Sequence, residues 1–152
     1  MVSLVELQDH IEVEQVVKRV AYAIDHLDWK LWEDLFAHDA ELDFSNLSGN
    51  RGSPEFFQER ITNNSKTRIG CQHLTNNIIV TLAGETATTH SEFSIFNVKR
   101  SAQPGQLLLE SMHGQYKDTL VKTGEGWRIQ RREGYLTWKE SREVSEEHVK
   151  FR

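Results

Sequence analysis

The stretch QHLTNNIIVTLAGETATTHSEFSIFNVKR, residues 72–100, sets the period of the second half of the chain. Two runs rich in Val, Ile, Thr and Phe flank the tight turn at 83–85, and residues of these types favour strands. Two similar runs follow, QLLLESMHGQYKDTLVK and GWRIQRREGYLTW, around a second turn at 124–126. A looser connection covers 101–105. The pattern predicts four long antiparallel strands joined mainly by hairpins.

The first half of the chain repeats its apolar residues with a helical period. From about Gln8 to His26 they recur at steps of three and four: Val13, Val16, Val17, Val20, Ile24 and Leu27. Asp28 is placed as the N-cap of a second helix, WKLWEDLFA, and AELDFSNL reads as a short strand. After a turn at 49–54, Pro54 opens a third helix. Helices followed by strands predict an α+β domain, with helices packed on one curved sheet around a cavity.

Composition predicts one soluble domain over residues 1–152. The chain is 38% hydrophobic and 27% charged, which suits a single globular core. Its formal net charge is −5, and its Lys and Arg residues form no extended patch. That argues against nucleic acid as a partner, because neutralising phosphates needs clustered cations. A charged tail from about Lys139 is expected to be a solvated helix or partly disordered.

Several kinds of site and location are also disfavoured by the sequence. No apolar run reaches the roughly 18 residues of a membrane span, and the N-terminus lacks the pattern of a signal peptide. Cys71 is the single cysteine, which excludes an intramolecular disulfide and a Cys-based zinc site. No histidine pair has the H-E-x-x-H spacing. We therefore expect a cytoplasmic protein with no membrane partner, no metal and no cofactor.

Asp25, near the end of the first helix, has no evident structural task. It lies at the margin of the apolar stripe, and a carboxylate at a helix C-terminus opposes the helix dipole by roughly 0.3–1 kcal/mol. Asp28, by contrast, serves as an N-cap. A solvated helix-end carboxylate is the alternative to a functional role for Asp25.

His73 opens the first long strand, and histidine suits proton transfer near neutral pH. Strand alternation groups it with Thr75, Asn77 and Ile79. The opposite face would hold Leu74, Ile78 and Val80. Because both faces contain apolar residues, alternation leaves open which one faces the core. The alternative for His73 is a strand-end histidine bonded to a backbone carbonyl.

Three strings occur in an order that resembles a known family: AIDHLDWKLWEDLFAHDAELDF (23–44), QHLTNNIIV with the hairpin AGETA (72–80 and 83–87), and GQYKDTLVKTGEGWRIQRR (114–132). They resemble the SnoaL-like branch of the nuclear-transport-factor-2-like superfamily, over roughly residues 11–138. The resemblance implies a cone-shaped α+β fold, in which N-terminal helices pack on a strongly curved mixed or antiparallel sheet that encloses a cavity.

Within this branch the chain is most similar to the group of scytalone dehydratase, hexachlorocyclohexane dehydrochlorinase and bile acid dehydratase. In that group an aspartate and a histidine form a cofactor-free dyad that removes a proton in an elimination. The two positions fall here on Asp25 and His73, which are 48 positions apart. If the fold brings them together, they form a general base with its own orienting carboxylate.

The same resemblance suggests which residues contact a substrate. Tyr116 would face the cavity, and Arg132 would correspond to an arginine on the last strand of the dehydrochlorinase. Four further residues are candidates for the pocket wall or mouth: Phe44, Leu74, Phe96 and Tyr22. His90, His113 and Arg131 stay open as weaker candidates for reaching the cavity.

The chain also departs from the group. The tyrosines and second histidine that hold the carbonyl of scytalone are replaced by Ile24, Phe44 and Phe96. The tyrosine one turn before the aspartate in bile acid dehydratases is replaced by Val20. The resemblance therefore implies the dyad in this chain, but it does not identify the substrate.

Three functions fit these observations. The first is a cofactor-independent lyase or isomerase acting on a small, largely apolar cyclic molecule through Asp25 and His73. The second is a non-catalytic ligand-binding domain of the same fold. The third is the small subunit of a ring-hydroxylating dioxygenase. A homo-oligomer, trimer or dimer, is expected from the resemblance.

Overall fold

The computed structural model describes residues 3–150 and contains three α-helices and six strands. The helices are α1 Leu4–His26, α2 Trp29–Leu35 and α3 Pro54–Ser65. The strands are β1 Phe36–Asn46, β2 Asn50–Gly52, β3 Arg68–Ala83, β4 Thr86–Arg100, β5 Gln106–Thr123 and β6 Gly126–Ser145. A short 3-10 turn, Glu146–His148, follows β6.

The six strands form one mixed sheet in the order β2-β1-β6-β5-β4-β3. The β3–β4 and β5–β6 pairs are the hairpins predicted at 83–85 and 124–126, and β4 pairs antiparallel with β5. The short β2, which lies inside the predicted turn at 49–54, pairs antiparallel with β1. β1 lies parallel to β6, which makes the sheet mixed. Three helices packed on this sheet make the fold an α+β cone.

The predicted end of α1 at His26 and the predicted starts of α2 after Asp28 and of α3 at Pro54 are confirmed, and each is stabilised by a cap. α1 begins at Leu4, before the predicted start near Gln8. Asp28 accepts a hydrogen bond from the backbone N–H of Leu31 at 3.0 Å, and Ser53 caps α3 ahead of Pro54. The C-cap of α1 is Leu27, whose φ of 52° places it in the left-handed region. α2 is shorter than expected, because Phe36 already begins β1.

The prediction for the charged tail is wrong over residues 139–145. These residues continue β6 and remain paired with β5 as far as Ser145 opposite Gln106. Their side chains are mostly exposed, which is why their composition resembled a solvated segment. The backbone ladder with β5 satisfies their N–H and C=O groups without apolar side chains.

α1 and α2 cover the sheet and close the core. α1 contacts β3, β6 and α2. The core contains buried apolar residues from α1, α2, β1, β5 and β6: Val13, Val16, Val20, Ala23, Trp32, Leu35, Leu42, Leu120, Trp127 and Ile129. Within residues 3–150, none of the helices combines the length and the apolar character that a membrane crossing needs.

A β-bulge in β3 explains why alternation did not decide the face of His73. Between Asn76, opposite Glu92, and Ile79, opposite His90, β3 has one residue more than β4. Asn77 lies in this interval with φ of 48°, and an extra residue in the left-handed region is typical of such bulges.

The bulge reverses the side of the strand that faces the core. Before it, His73 and Thr75 are the less exposed residues of β3; after it, Ile78, Val80 and Leu82 are. The bulge therefore places Ile78, Val80 and Leu82 on the same face of the folded strand as His73, whereas Leu74 and Ile79 lie on the outer face.

We expect Asn77→Val to lower the free energy of unfolding relative to Asn77→Gly by about 1–2 kcal/mol, because a Cβ-branched residue is strained at positive φ. Both variants lose the hydrogen bond from Asn77 Nδ2 to Glu92, so their difference isolates the backbone. Urea unfolding measures it. Equal stability of the two variants would contradict the assigned bulge geometry.

Candidate active site

The structure brings Asp25 and His73 into direct contact. The Asp25 carboxylate accepts two hydrogen bonds from His73, one from ring Nδ1 at 2.6 Å and one from the backbone N–H at 2.8 Å. Asp25 lies in the last turn of α1, and His73 lies in the first half of β3 before the bulge. Their side chains are 14% and 12% exposed. The carboxylate therefore holds both the ring and the backbone of His73.

The two hydrogen bonds also determine the ionisation of Asp25. Burial disfavours the charged carboxylate, but the hydrogen bonds from His73 outweigh burial and keep the pKa of Asp25 below its ordinary value. A carboxylate is only an acceptor, so Nδ1 of His73 carries a proton. The other ring nitrogen, Nε2, has no protein partner among residues 3–150.

Cys71 lies beside the dyad, two residues before His73 on β3. Its Sγ atom is 3.4 Å from Nδ1 of His73. Burial raises the pKa of the Cys71 thiol to about 12, so the thiol is protonated at neutral pH and is a poor nucleophile.

Asp25, Cys71 and His73 are also the residues that could hold a metal ion, since their ligand atoms lie within 4.8 Å of one another. Metal binding would require a deprotonated Cys71 and would displace the proton that joins His73 to Asp25. Burial of the thiol and the dyad hydrogen bond both oppose that change. The trio therefore fits a hydrogen-bonded dyad better than a metal centre.

His73 forms part of the wall of a cavity of about 510 Å³, which is the size that small-molecule sites have. Apolar side chains from all three helices and from the sheet make up its interior: Val20, Ile24, Trp32, Phe36, Leu42, Phe44, Phe57, Ile61, Ile95 and Met112. Asp25 is not part of this lining and lies behind His73. The geometry directs the imidazole, not the carboxylate, toward a ligand.

Tyr116 and Arg132 lie together in the same cavity. The Arg132 guanidinium is 4.6 Å from the centre of the Tyr116 ring, and the ring stacks on Phe93 at 4.3 Å. Burial raises the pKa of Tyr116 to about 12, so its hydroxyl keeps its proton at neutral pH. That hydroxyl has no hydrogen-bond partner in the described part of the chain and can donate to a ligand.

Arg132 is held by a buried carboxylate. Its Nε and Nη2 donate to the two oxygens of Asp118 at 2.6 and 2.8 Å, and the two side chains are 3% and 0% exposed. Thr89 donates a third hydrogen bond to Asp118. Burial disfavours the guanidinium cation, but Asp118 outweighs this and the pKa of Arg132 is raised. Only Nη1 has no hydrogen bond within residues 3–150.

Phe44 lines the cavity as expected, but the wall positions predicted for Leu74 and Phe96 and the mouth position predicted for Tyr22 are wrong. Leu74 and Phe96 lie on the outer face of the sheet, because alternation directs their neighbours His73 and Ile95 inward. Tyr22 is exposed on α1 and stacks on His26. Leu74 and Tyr22 line a more open depression on the other side of the dyad.

The three weaker candidates do not line the cavity. His90 is exposed on β4. His113 stacks on Trp138 at 3.8 Å and bonds Ser94. Arg131 pairs with Glu41 and Asp43, which leaves Arg132 as the arginine of this pair that faces inward.

The sequence reasoning missed the polar end of the cavity. Polar residues of α3 and of four strands line it: Arg60, Asn64, Arg68, Asn97, Lys99, Glu110, Lys139, Glu140 and Ser141. The signal on β4 is the alternation of Ile95, Asn97 and Lys99 on one face. This alternation assigns Asn97 and Lys99 to the cavity only after the face of His73 is known, because His73 is paired with Ile95.

The SnoaL-like domain family matches residues 5–133 of this chain. The chain belongs to the SnoaL-like family. Its cone is the fold of the nuclear-transport-factor-2-like superfamily.

Three proteins are similar to this chain over most of their length. The chain is 29% identical over 132 residues to an uncharacterised protein of Mycobacterium tuberculosis, a match that covers 87% of this chain and 88% of the relative. A protein of Novosphingobium aromaticivorans provisionally assigned as a scytalone dehydratase has a TM-score of 0.74 at 22% identity, over 88% of this chain and 87% of that one. A hexachlorocyclohexane dehydrochlorinase has a TM-score of 0.72 at 12% identity, over 89% of each chain. At these identities the two structures establish the shared fold.

In this SnoaL-like domain we expect Asp25→Asn to lower stability most at neutral pH. The folded-state pKa of Asp25 lies below its ordinary value of 3.8. The ionised carboxylate therefore stabilises the fold above that value, and this contribution is lost as pH falls through the folded-state pKa. Urea unfolding of both proteins across pH should show a difference that shrinks below about pH 4. A difference independent of pH would contradict this account.

We expect Asp118→Asn to lower the free energy of unfolding by about 3–5 kcal/mol, because it leaves the buried Arg132 cation without its partner. Asp34→Asn is the matched control, since it makes the same chemical change in the exposed Lys30–Asp34 pair and should alter stability little. Chemical unfolding of the two variants measures the contrast. Similar small losses in both would show that Arg132 is not held by Asp118 alone.

Proposed function

We propose that this protein is a cofactor-independent lyase or isomerase that acts on a small, largely apolar cyclic molecule, with His73 as the general base. The observation that carries the proposal is the position of His73. It is bonded through Nδ1 to a buried carboxylate and forms part of the wall of a mostly apolar cavity.

The dyad supports proton removal by a simple division of tasks. Because Nδ1 of His73 donates to Asp25, the lone pair of Nε2 is available to accept a proton from a substrate carbon. When His73 becomes charged, the adjacent carboxylate stabilises the imidazolium. Asp25 acts through His73 and is a positioning residue, because it does not line the cavity.

Two further groups can stabilise an oxygen of the substrate. The Tyr116 hydroxyl is protonated and has no protein partner, so it can donate to a carbonyl as negative charge develops on its oxygen. Arg132 lies against the Tyr116 ring and has Nη1 free for the same purpose. These donors are held in place before a substrate binds, by Phe93 beneath Tyr116 and by Asp118 behind Arg132.

Elimination and isomerisation share the first step at this site. Nε2 of His73 takes a proton from a carbon next to a carbonyl, and the electron pair of the broken C–H bond passes into the adjacent π system. In a dehydration that pair forms a carbon–carbon double bond as hydroxide leaves, and the proton on His73 converts it to water. In an isomerisation the same proton returns to a second carbon.

The similar proteins agree with this class of reaction. The SnoaL-like domain covers most of the chain, and the two solved structures compared above are a provisional scytalone dehydratase and a hexachlorocyclohexane dehydrochlorinase. Both names denote eliminations. Replacement of the carbonyl-holding tyrosines by Ile24 and Phe44 argues for a different substrate.

We expect His73→Ala to lower turnover by about 10²–10⁴-fold, because it removes the general base. Cyclic ketones and alcohols can be screened in D₂O for deuterium incorporation at carbon and for loss of water, by NMR and mass spectrometry. Asp25→Asn should lower kcat and change its pH profile, because Nδ1 then loses its charged acceptor. His90→Ala, at an exposed strand position outside the cavity, is the matched control and should leave both readouts unchanged.

Near-normal turnover in both dyad variants, with the fold intact by circular dichroism, would overturn the proposed role of the dyad. Ligands that bind the wild type but are recovered unchanged and without deuterium would identify the protein as a binding domain instead.

A further inference from the structure

Part of the cavity lining is charged, although its interior is apolar. We call this set the cationic rim: Arg60 on α3, Arg68 on β3, Lys99 on β4 and Lys139 on β6. Glu110 and Glu140 are the carboxylates in the same lining. Glu140 follows Lys139 on β6 and lies in the row of Phe96, so alternation directs its side chain to the outer face. Four cations and one inward carboxylate therefore leave an excess of three positive charges in a chain whose net charge is −5.

Most of the rim charge has no carboxylate partner. Lys99 forms an ion pair with Glu110. Arg60 lies over the Phe56 ring at 5.6 Å, a contact that leaves its charge uncompensated. Within residues 3–150, Arg60, Arg68 and Lys139 form no ion pair. These cations stay available to a ligand.

The pairing of the strands places two rim cations side by side. Arg68 is directly opposite Lys99 in the β3–β4 ladder. Like charges directly opposite each other on neighbouring strands are unfavourable. Glu110 offsets the positive charge of Lys99, and a bound anion between the strands would offset the charge of Arg68.

Strand geometry also gives the separation between the rim and the dyad. His73 is opposite Ile95, and Lys99 lies four residues further along β4 on the same face. At about 3.3 Å per residue, the Arg68–Lys99 pair is about 13 Å along the strand from the row of His73. Lys139 lies in the row of His73 itself, two strands beyond Ile95, through Met112.

We propose that the ligand of this cavity carries a single negative charge, a carboxylate, at the end opposite its reacting ring, and that the cationic rim binds it. The ring occupies the apolar interior beside His73, and the carboxylate reaches Arg68, whose planar guanidinium can bind both oxygens. Glu110 neutralises Lys99, so Arg68 is the cation of this strand pair that is left for the single charge of a carboxylate. This inference rests on the proposed function only for the identity of the reacting end.

The rim can be tested by binding alone, without turnover. The probe is 6-phenylhexanoate, which joins an aromatic ring to a carboxylate, and its neutral match is 6-phenylhexan-1-ol. Isothermal titration calorimetry at low ionic strength, where charge effects are least screened, gives both dissociation constants. We expect the acid to bind more tightly than the alcohol, and this preference to shrink as salt is added.

Variants identify the rim as the cause. Arg68→Gln should weaken binding of the acid by about tenfold, the value of one charge-assisted hydrogen bond, and leave the alcohol unchanged. Lys139→Gln, at an exposed position that does not support the core, should act in the same direction. Arg142→Gln is the matched control, because it makes the same change of charge at an exposed position of β6 outside the cavity.

The proposal is overturned if the acid does not bind, if acid and alcohol bind equally, or if the control weakens the acid as much as the rim variants do. His73→Ala separates this inference from the proposed function. It should lower proton transfer by about 10²–10⁴-fold but leave the preference for 6-phenylhexanoate over 6-phenylhexan-1-ol unchanged. Turnover measurements therefore test the lyase hypothesis, and calorimetry tests the binding of the carboxylate by the cationic rim.

Discussion

The hydrogen bonds between the Asp25 carboxylate and His73 connect the helical layer of this protein to its sheet at the candidate active site. One oxygen accepts the ring N–H and the other accepts the backbone N–H. The last turn of α1 is therefore attached to β3 at the residue that faces the cavity. The cost of a carboxylate at the C-terminal end of a helix is offset by two close donors, and the tautomer of His73 follows from the same contact.

A second buried polar group organises the part of the cavity formed by β5 and β6. Asp118 binds Arg132 through two hydrogen bonds, and the guanidinium lies against the ring of Tyr116. Because the Asp118–Arg132 ion pair is buried, its two side chains have few alternative conformations. Its contribution to stability is small compared with an apolar packing of equal volume, so its main effect is to fix the position of the donors in the cavity.

Much of the fold could be predicted from local pattern. The capping residues Asp28 and Ser53, the hairpin turns and the alternation of β4 and β5 are determined by neighbouring residues, so the sequence alone locates them. The site was predictable only in part. Asp25 and His73 were recognised through resemblance, whereas Leu74 and Phe96 were assigned to the cavity wall although strand alternation places them outside.

The sequence by itself determined the order of helices and strands, their caps and turns, and the presence of one carboxylate without a structural task. These features depend on contacts within a few residues. Only the tertiary structure decided the face of His73, because the bulge at Asn77 reverses the alternation within β3. Only the tertiary structure assembled the cationic rim, because strand pairing brings Arg68 opposite Lys99 and aligns Lys139 with His73 across 66 positions of sequence.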